Sequence, residues 1–89
     1  MTVYVDDWRQ RARVGRIRGR WSHLVASDAE ELHAFALRLG LRRAWFQPRN
    51  GTYQHYDVVE SMRQRAIALG AVPVSWRDLP GLRQRGEIL

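Results

Sequence analysis

The stretch Ser27-Asp28-Ala29-Glu30-Glu31-Leu32-His33-Ala34-Phe35-Ala36-Leu37-Arg38-Leu39-Gly40 decides how this chain is read, because it holds a helix together with its own start and stop signals. Ser27 and Glu30 stand in capping-box spacing, with Ser27 as the N-cap. Leu32, Phe35, Ala36 and Leu39 recur at helical intervals as one apolar stripe, and Gly40 supplies the stop. The spacing predicts a helix over 28–39. Residues 43–47, which include Trp45, Phe46 and Gln47, then read as a short aromatic strand, and Pro48, Asn50 and Gly51 as a turn. A second unit begins at His55-Tyr56-Asp57, where Asp57 and Glu60 repeat the capping spacing ahead of the stripe Val59, Met62, Ala66 and Leu69. Gly70 ends it, and residues 72–76 read as another strand containing Trp76.

Upstream, residues 2–5 form a β-branched and aromatic run that ends in Asp6 and Asp7, which reads as a buried first strand. Residues 21–26 read as a second strand leading into the helix. Between them, residues 9–20 carry six arginines around Gly15 and Gly19 and read as a long arginine-rich loop. The last residues, 77–89, read as a charged tail with a short helix near 80–85. Two helix-glycine-strand units after an initial strand predict an α/β domain: a small, mostly parallel sheet of three to four strands with two main helices.

Composition bounds what such a domain can do. Eighty-nine residues make at most one domain, and a chain of that size buries only about 60–65% of the surface its unfolded form exposes. With 45% hydrophobic residues and four tryptophans it is rich enough to fold. No cysteine is present, which excludes a disulfide scaffold, thiol catalysis and cysteine-ligated zinc. A start carrying Asp6 and Asp7 is not a signal peptide, and no apolar stretch approaches the ~20 residues of a membrane span, so the expected location is the cytoplasm, with no membrane partner. All 15 basic residues are arginine, against 9 acids, giving a formal charge of +6. That choice suits bidentate phosphate recognition, and it suits a GC-rich genome equally well.

In an open parallel sheet, ligands sit at the carboxyl ends of the strands. That edge is expected to gather Asp6, Asp7, Ser27, Asp28, Gln47, His55 and Asp57. Asp6 and Asp7 alternate in direction on an extended strand, so at most one faces a site. Together with Asp57, such a carboxylate could hold Mg²⁺ for phosphodiester hydrolysis. Without cysteine, a zinc site would need all three histidines or help from carboxylates. His23 and His33 read as packed structural residues, whereas His55, beside Asp57, is suited to acid, base or phosphate-donor work. No serine has a nucleophile's surroundings, and no phosphate-loop or dinucleotide glycine pattern occurs. The arginine segment with Trp21 combines phosphate-binding charge with a stacking ring.

Taken in order, Tyr4-Val5-Asp6-Asp7, Trp21-Ser22-His23-Leu24, Glu31-Leu32-His33-Ala34-Phe35-Ala36, Trp45-Phe46-Gln47, His55-Tyr56-Asp57 and Ala68-Leu69-Gly70-Ala71 resemble the small bacterial and phage proteins grouped as domain of unknown function 4031. The resemblance covers roughly residues 2–76. It implies a stand-alone cytoplasmic domain and singles out Asp6, Asp7, His23, Trp45, Gln47, His55, Asp57 and Arg63. The residue before Arg63, usually basic in that family, is Met62 here.

Three function classes follow. The leading expectation is a domain that binds nucleic acid or a phosphorylated, nucleotide-like ligand, with Arg16, Arg18, Arg20 and Arg63 meeting phosphate, Trp21 or Trp45 stacking a base, and His23 and Gln47 nearby. The second is a metal-dependent nuclease or phosphohydrolase, with Asp6, Asp57 and His55 as catalytic candidates and Asp6, Asp7 and Asp57 as candidates for Mg²⁺. The third is a protein-interaction or inhibitor module without a small ligand. A thin core with four tryptophans would also gain stability from a homodimer.

Overall fold

The computed structural model describes residues 2–48 and 53–89. Asn50 and Gly51, expected in a turn, lie outside the described residues. The elements are β1 (Val3–Val5), β2 (Gln10–Val14), β3 (Ile17–Ala26), α1 (Ala29–Leu39), β4 (Tyr56–Val59), α2 (Glu60–Ala68), β5 (Val72–Pro73) and α3 (Leu79–Gln84). Their strands make one five-stranded sheet with helices on both faces.

The sheet is mixed and mostly antiparallel, which corrects the expectation of a mostly parallel one with two helices. Among the described residues, β1 with β5 is the one parallel pair. The difference originates in residues 9–20, which are paired strand and not the expected loop. The arginines alternate there with Ala12, Val14, Ile17 and Gly19, and that period of two makes a β-hairpin. Val14 pairs with Ile17 across a two-residue loop, and Gly15 at φ 61° provides the positive φ its first central position requires. Once β2 and β3 are joined this way they must be antiparallel, and β4 returns antiparallel to β3 as well.

Leu24 pairs with both Val5 and Tyr56, and Trp21 with both Gln10 and Val59. β4 therefore holds one edge of β3, and β1 and β2 share the other. Between Val5 and Gln10, the four residues 6–9 span a stretch facing only Ser22 and His23. This is a bulge, and bulges re-aim side chains where they occur.

The remaining expectations shift by small amounts for local reasons. The helix N-cap is Asp28, whose carboxylate accepts from the Glu30 N–H, and Gly40 closes α1 at φ 98°. Residues 43–45 form a 3-10 turn instead of a strand, and Gln47 makes a single bridge to His55. Asp57 is a β4 residue, because four pairs with β3 keep the chain extended until α2 begins, and α2 has no side-chain cap. The strand expected at 72–76 stops after Pro73, and Trp76 opens another 3-10 turn. The short helix expected near 80–85 is α3, and beyond it the Leu89 N–H is bonded to the Ala26 carbonyl.

Alternation along the strands sorts the core. Val3, Val5, Leu24, Ala26, Tyr56 and Val58 face α1 and α2, meeting Leu32, Phe35, Ala36, Leu39 and Ala66. Val25 faces the other way, with Tyr4, Val74 and Tyr53, under Leu79, Leu82 and Ile88. No helix among the described residues is long and apolar enough to cross a membrane.

Gly19 has no side chain because Val59 occupies the space: a Cβ built there would lie 2.6 Å from Val59 Cγ2. Since the branched valine has little rotamer freedom, Gly19→Ala is expected to cost about 1–3 kcal/mol of stability. Urea unfolding measures this, and an unchanged midpoint would show that the hairpin can shift away from β4.

Candidate metal centre

The pleat that buries Val25 turns His23 to the same side of the sheet, into a cleft it shares with Trp8, Trp76 and the first residues of α3, Leu79 and Pro80. In the β3–β4 register His23 stands directly opposite Asp57, and His55 lies two residues before Asp57 and so faces the same way. A ligand atom from each of these three residues lies within 4.8 Å of the other two. His55 Nε2 and Asp57 Oδ1 are 3.3 Å apart. Ligand atoms about 2.1 Å from a metal ion and separated by a tetrahedral angle stand roughly 3.4 Å apart, so that pair already has a suitable span.

Each of the three side chains is held from behind. The Asp6 carboxylate, fully buried, accepts the His23 N–H at 2.8 Å and the Trp8 N–H at 3.3 Å on Oδ1, and His23 Nδ1 at 2.7 Å on Oδ2. The bulge makes this possible: it takes residues 7 and 8 out of the ladder, and the Asp6 side chain replaces them as the acceptor for His23. His55 Nδ1 donates to the Tyr53 carbonyl at 2.8 Å. Gln47 Nε2 donates to Asp57 Oδ2. With Nδ1 engaged, Nε2 is the ligand atom left to each histidine, that of His55 lying against Asp57 Oδ1, and a histidine whose other nitrogen is fixed by a carboxylate or carbonyl is the usual form of a metal ligand. The two rings meet edge to face with centroids 5.0 Å apart, and Trp8 lies against His23 at the same distance.

The electrostatics show how closely His55 and Asp57 are coupled. Burial pulls the His55 imidazole down, but the bond to Asp57, the Tyr53 carbonyl and the charges of Asp57 and Asp6 outweigh it and raise its pKa above the ordinary value. Burial pushes Asp57 up, yet the His55 and Gln47 bonds and the nearby histidines hold it below the usual carboxylate range. A cation is thus favoured between these groups, whether a proton or a metal ion.

The structure distributes the other sequence candidates. Asp6 supports His23 with both oxygens, and Asp7 points elsewhere and accepts the Trp76 N–H at 2.8 Å. Asp6, Asp7 and Asp57 therefore do not converge as one oxygen-ligand set. Two imidazoles with one carboxylate suit Zn²⁺ or another transition metal better than Mg²⁺, which prefers oxygen ligands. Arg63 is buried, donating Nε to the Asp6 carbonyl at 2.8 Å and contacting Glu60 at 3.4 Å, so it braces the end of β1 against α2. His33 lies on the other side of the sheet, bonded to the Tyr56 hydroxyl at 2.7 Å. Arg16, Trp21, Trp45, Gln47 and Asp57 share a cleft of about 490 Å³ with Val14 and Ile17, whereas Arg18 and Arg20 face the opposite side of the hairpin.

The grouping of His23 with His55 and Asp57 escaped the sequence reading. The signal was His55-Tyr56-Asp57 itself: on a strand it places two ligands on one face, but as a helix start it does not.

These positions, His23, Gln47, His55 and Asp57 among them, fall inside one family match. The chain belongs to the family described as "Protein of unknown function (DUF4031)", which it matches over residues 3–85. The match takes in every element of the fold, so in this DUF4031 domain the sheet and the centre belong to one unit. No curated protein and no solved structure matches the chain.

Proposed function

We propose that this DUF4031 domain is a divalent-metal-dependent hydrolase of phosphoesters of the nucleotide type. One observation carries the reading: His23, His55 and Asp57 converge on one face of the sheet, each fixed from behind by Asp6, the Tyr53 carbonyl or Gln47. Three protein ligands leave a coordination position open, as catalytic sites do. A metal held there would lower the pKa of bound water and polarise a phosphoryl oxygen.

The chain's own residues supply the remaining parts. The cleft beside Asp57, about 490 Å³, falls in the range that encloses small ligands. Its rim carries Arg16 for a phosphate and the half-exposed ring of Trp45 for a planar base. Trp21 forms a fixed wall, since its indole N–H is bonded to the Ala12 carbonyl at 3.0 Å.

Thermal melting with Zn²⁺, Mn²⁺, Ni²⁺ and Mg²⁺ tests the centre. At a hundredfold excess over Kd a ligand adds about 2.7 kcal/mol, which for a domain of this size raises Tm by roughly 10–20 °C. Zn²⁺, Mn²⁺ or Ni²⁺ is expected to produce the shift, and His55→Ala to remove it. The same preparations, given a nitrophenyl phosphodiester and oligonucleotides, should show metal-dependent cleavage that His55→Ala abolishes. A metal-induced shift without cleavage of any phosphoester would leave a binding centre and overturn the hydrolase reading.

A further inference from the structure

The β2–β3 hairpin reaches beyond the rest of the sheet: over residues 17–20, β3 has β2 as its strand neighbour and neither β1 nor β4. Its register sets Arg11 opposite Arg20 and Arg13 opposite Arg18, and the pleat puts all four side chains on one face. The other face carries Val14, Ile17 and Trp21 toward the Asp57 cleft. The ribbon is thus two-sided, with an arginine face directed away from the metal centre.

That face is under electrostatic tension. Like charges directly opposed across a ribbon destabilise it. Four arginines elsewhere are paired with carboxylates, Arg9 and Arg63 with Glu60, Arg43 with Glu30 and Arg85 with Glu87, and four others lie over aromatic rings, Arg38 on Phe35, Arg42 on Trp45, Arg77 on Trp76 and Arg83 on Tyr53. Among the described residues, none of the four ribbon arginines has an acidic partner, and Arg13 reaches only the Gly15 carbonyl. A polyanion laid along this face would offset the repulsion and release counterions as it bound.

We propose that the arginine face of the β2–β3 ribbon docks in the major groove of double-stranded DNA. The dimensions agree: two strands about 4.8 Å apart fit a groove about 12 Å wide that admits a β-ribbon. Arg11 and Arg13, two residues apart, are spaced by about 6.8 Å, twice the axial interval between charges on one DNA strand. A single strand is disfavoured because the face offers no aromatic ring; Trp21 lies on the other side. The A-form RNA duplex is disfavoured because its major groove is deep and narrow. The inference stands independently of the metal centre.

Fluorescence anisotropy with a labelled 20-base-pair DNA duplex, the same sequence as an RNA duplex and as a single strand, and polyglutamate tests it with the full chain. The expected result is DNA-duplex binding in the micromolar range at about 0.1 M salt, with a log–log salt slope near −3 to −4 for four phosphate contacts. Replacing the four as Arg11→Gln, Arg13→Gln, Arg18→Gln and Arg20→Gln should weaken it about 10- to 100-fold and flatten the slope, while replacement by lysine keeps the slope. Circular dichroism and the urea unfolding midpoint, unchanged in the glutamine variant, would show that the fold survives. Equal binding by the glutamine variant, or equally tight binding of the RNA duplex, the single strand or polyglutamate, would overturn the proposal.

Discussion

Asp6→Asn is expected to lower divalent-metal affinity by about 10- to 100-fold while the domain stays folded, the range seen when an outer partner of a ligating histidine is lost. The argument is one of donors and acceptors. Asp6 Oδ1 takes two backbone N–H groups, from His23 and Trp8, so the asparagine carbonyl oxygen must occupy that position. Its NH₂ group then faces His23 Nδ1, where Oδ2 had accepted at 2.7 Å. Two donors cannot bond each other, so Nδ1 must give up its proton and Nε2 must carry it. The free ligand atom of His23 is lost without any loss of packing.

Nitrogen chemical shifts of the His23 ring report that change of tautomer directly, and isothermal titration with Zn²⁺ reports the affinity. Asp6→Ala differs in kind. It leaves buried N–H groups without an acceptor, and breaking a buried charged network costs about 3–5 kcal/mol, so that variant is expected to lose much of its fold. An Asp6→Asn variant that binds metal as tightly as the parent, with Nδ1 still protonated, would refute this role for Asp6.

Leu24→Ala is expected to cost about 3–5 kcal/mol, a large share of what an 89-residue domain has available at roughly 0.05–0.15 kcal/mol per residue. Leu24 is wholly buried and is the residue where β1, β3 and β4 meet, paired to Val5 on one side and Tyr56 on the other. A cavity there cannot collapse without pulling two strands, and the same strands hold Asp6 and Asp57 in place. Tm should fall by roughly 15–30 °C. Leu37→Ala is the control: that side chain is 76% exposed on α1, and its removal should stay within about 0.5 kcal/mol. Urea unfolding of both variants measures the difference, and a Leu24→Ala loss no larger than that of Leu37→Ala would mean the core is organised elsewhere.

How much could be read in the chain depended on the range of the interactions involved. Helix α1 was legible from its apolar stripe and Gly40, both local to the segment, although the cap moved from Ser27 to Asp28. The arginine hairpin carried a period of two that charge density concealed. Asp57 matched a capping pattern, yet four pairs with β3 held it in a strand, since a ladder of backbone bonds outweighs one side-chain cap. Asp6 and Asp57 were both among the candidates, but their division of work was not legible, with Asp6 behind His23 and Asp57 in front.

Contacts within a turn or two account for the main helix and its glycine stop, and residue content for the absence of cysteine chemistry and the arginine-only charge; these, with the family resemblance, were open to reading along the chain. Which strands pair, and with that which side chains share a face, depends on contacts between distant parts of the chain. His23 and Asp57 are thirty-four positions apart in the chain and directly opposite in the sheet. A shift of one residue in that register would turn one of them to the far side, because strand side chains alternate and the register is set by burial of Leu24, Tyr56 and Val58 in the core.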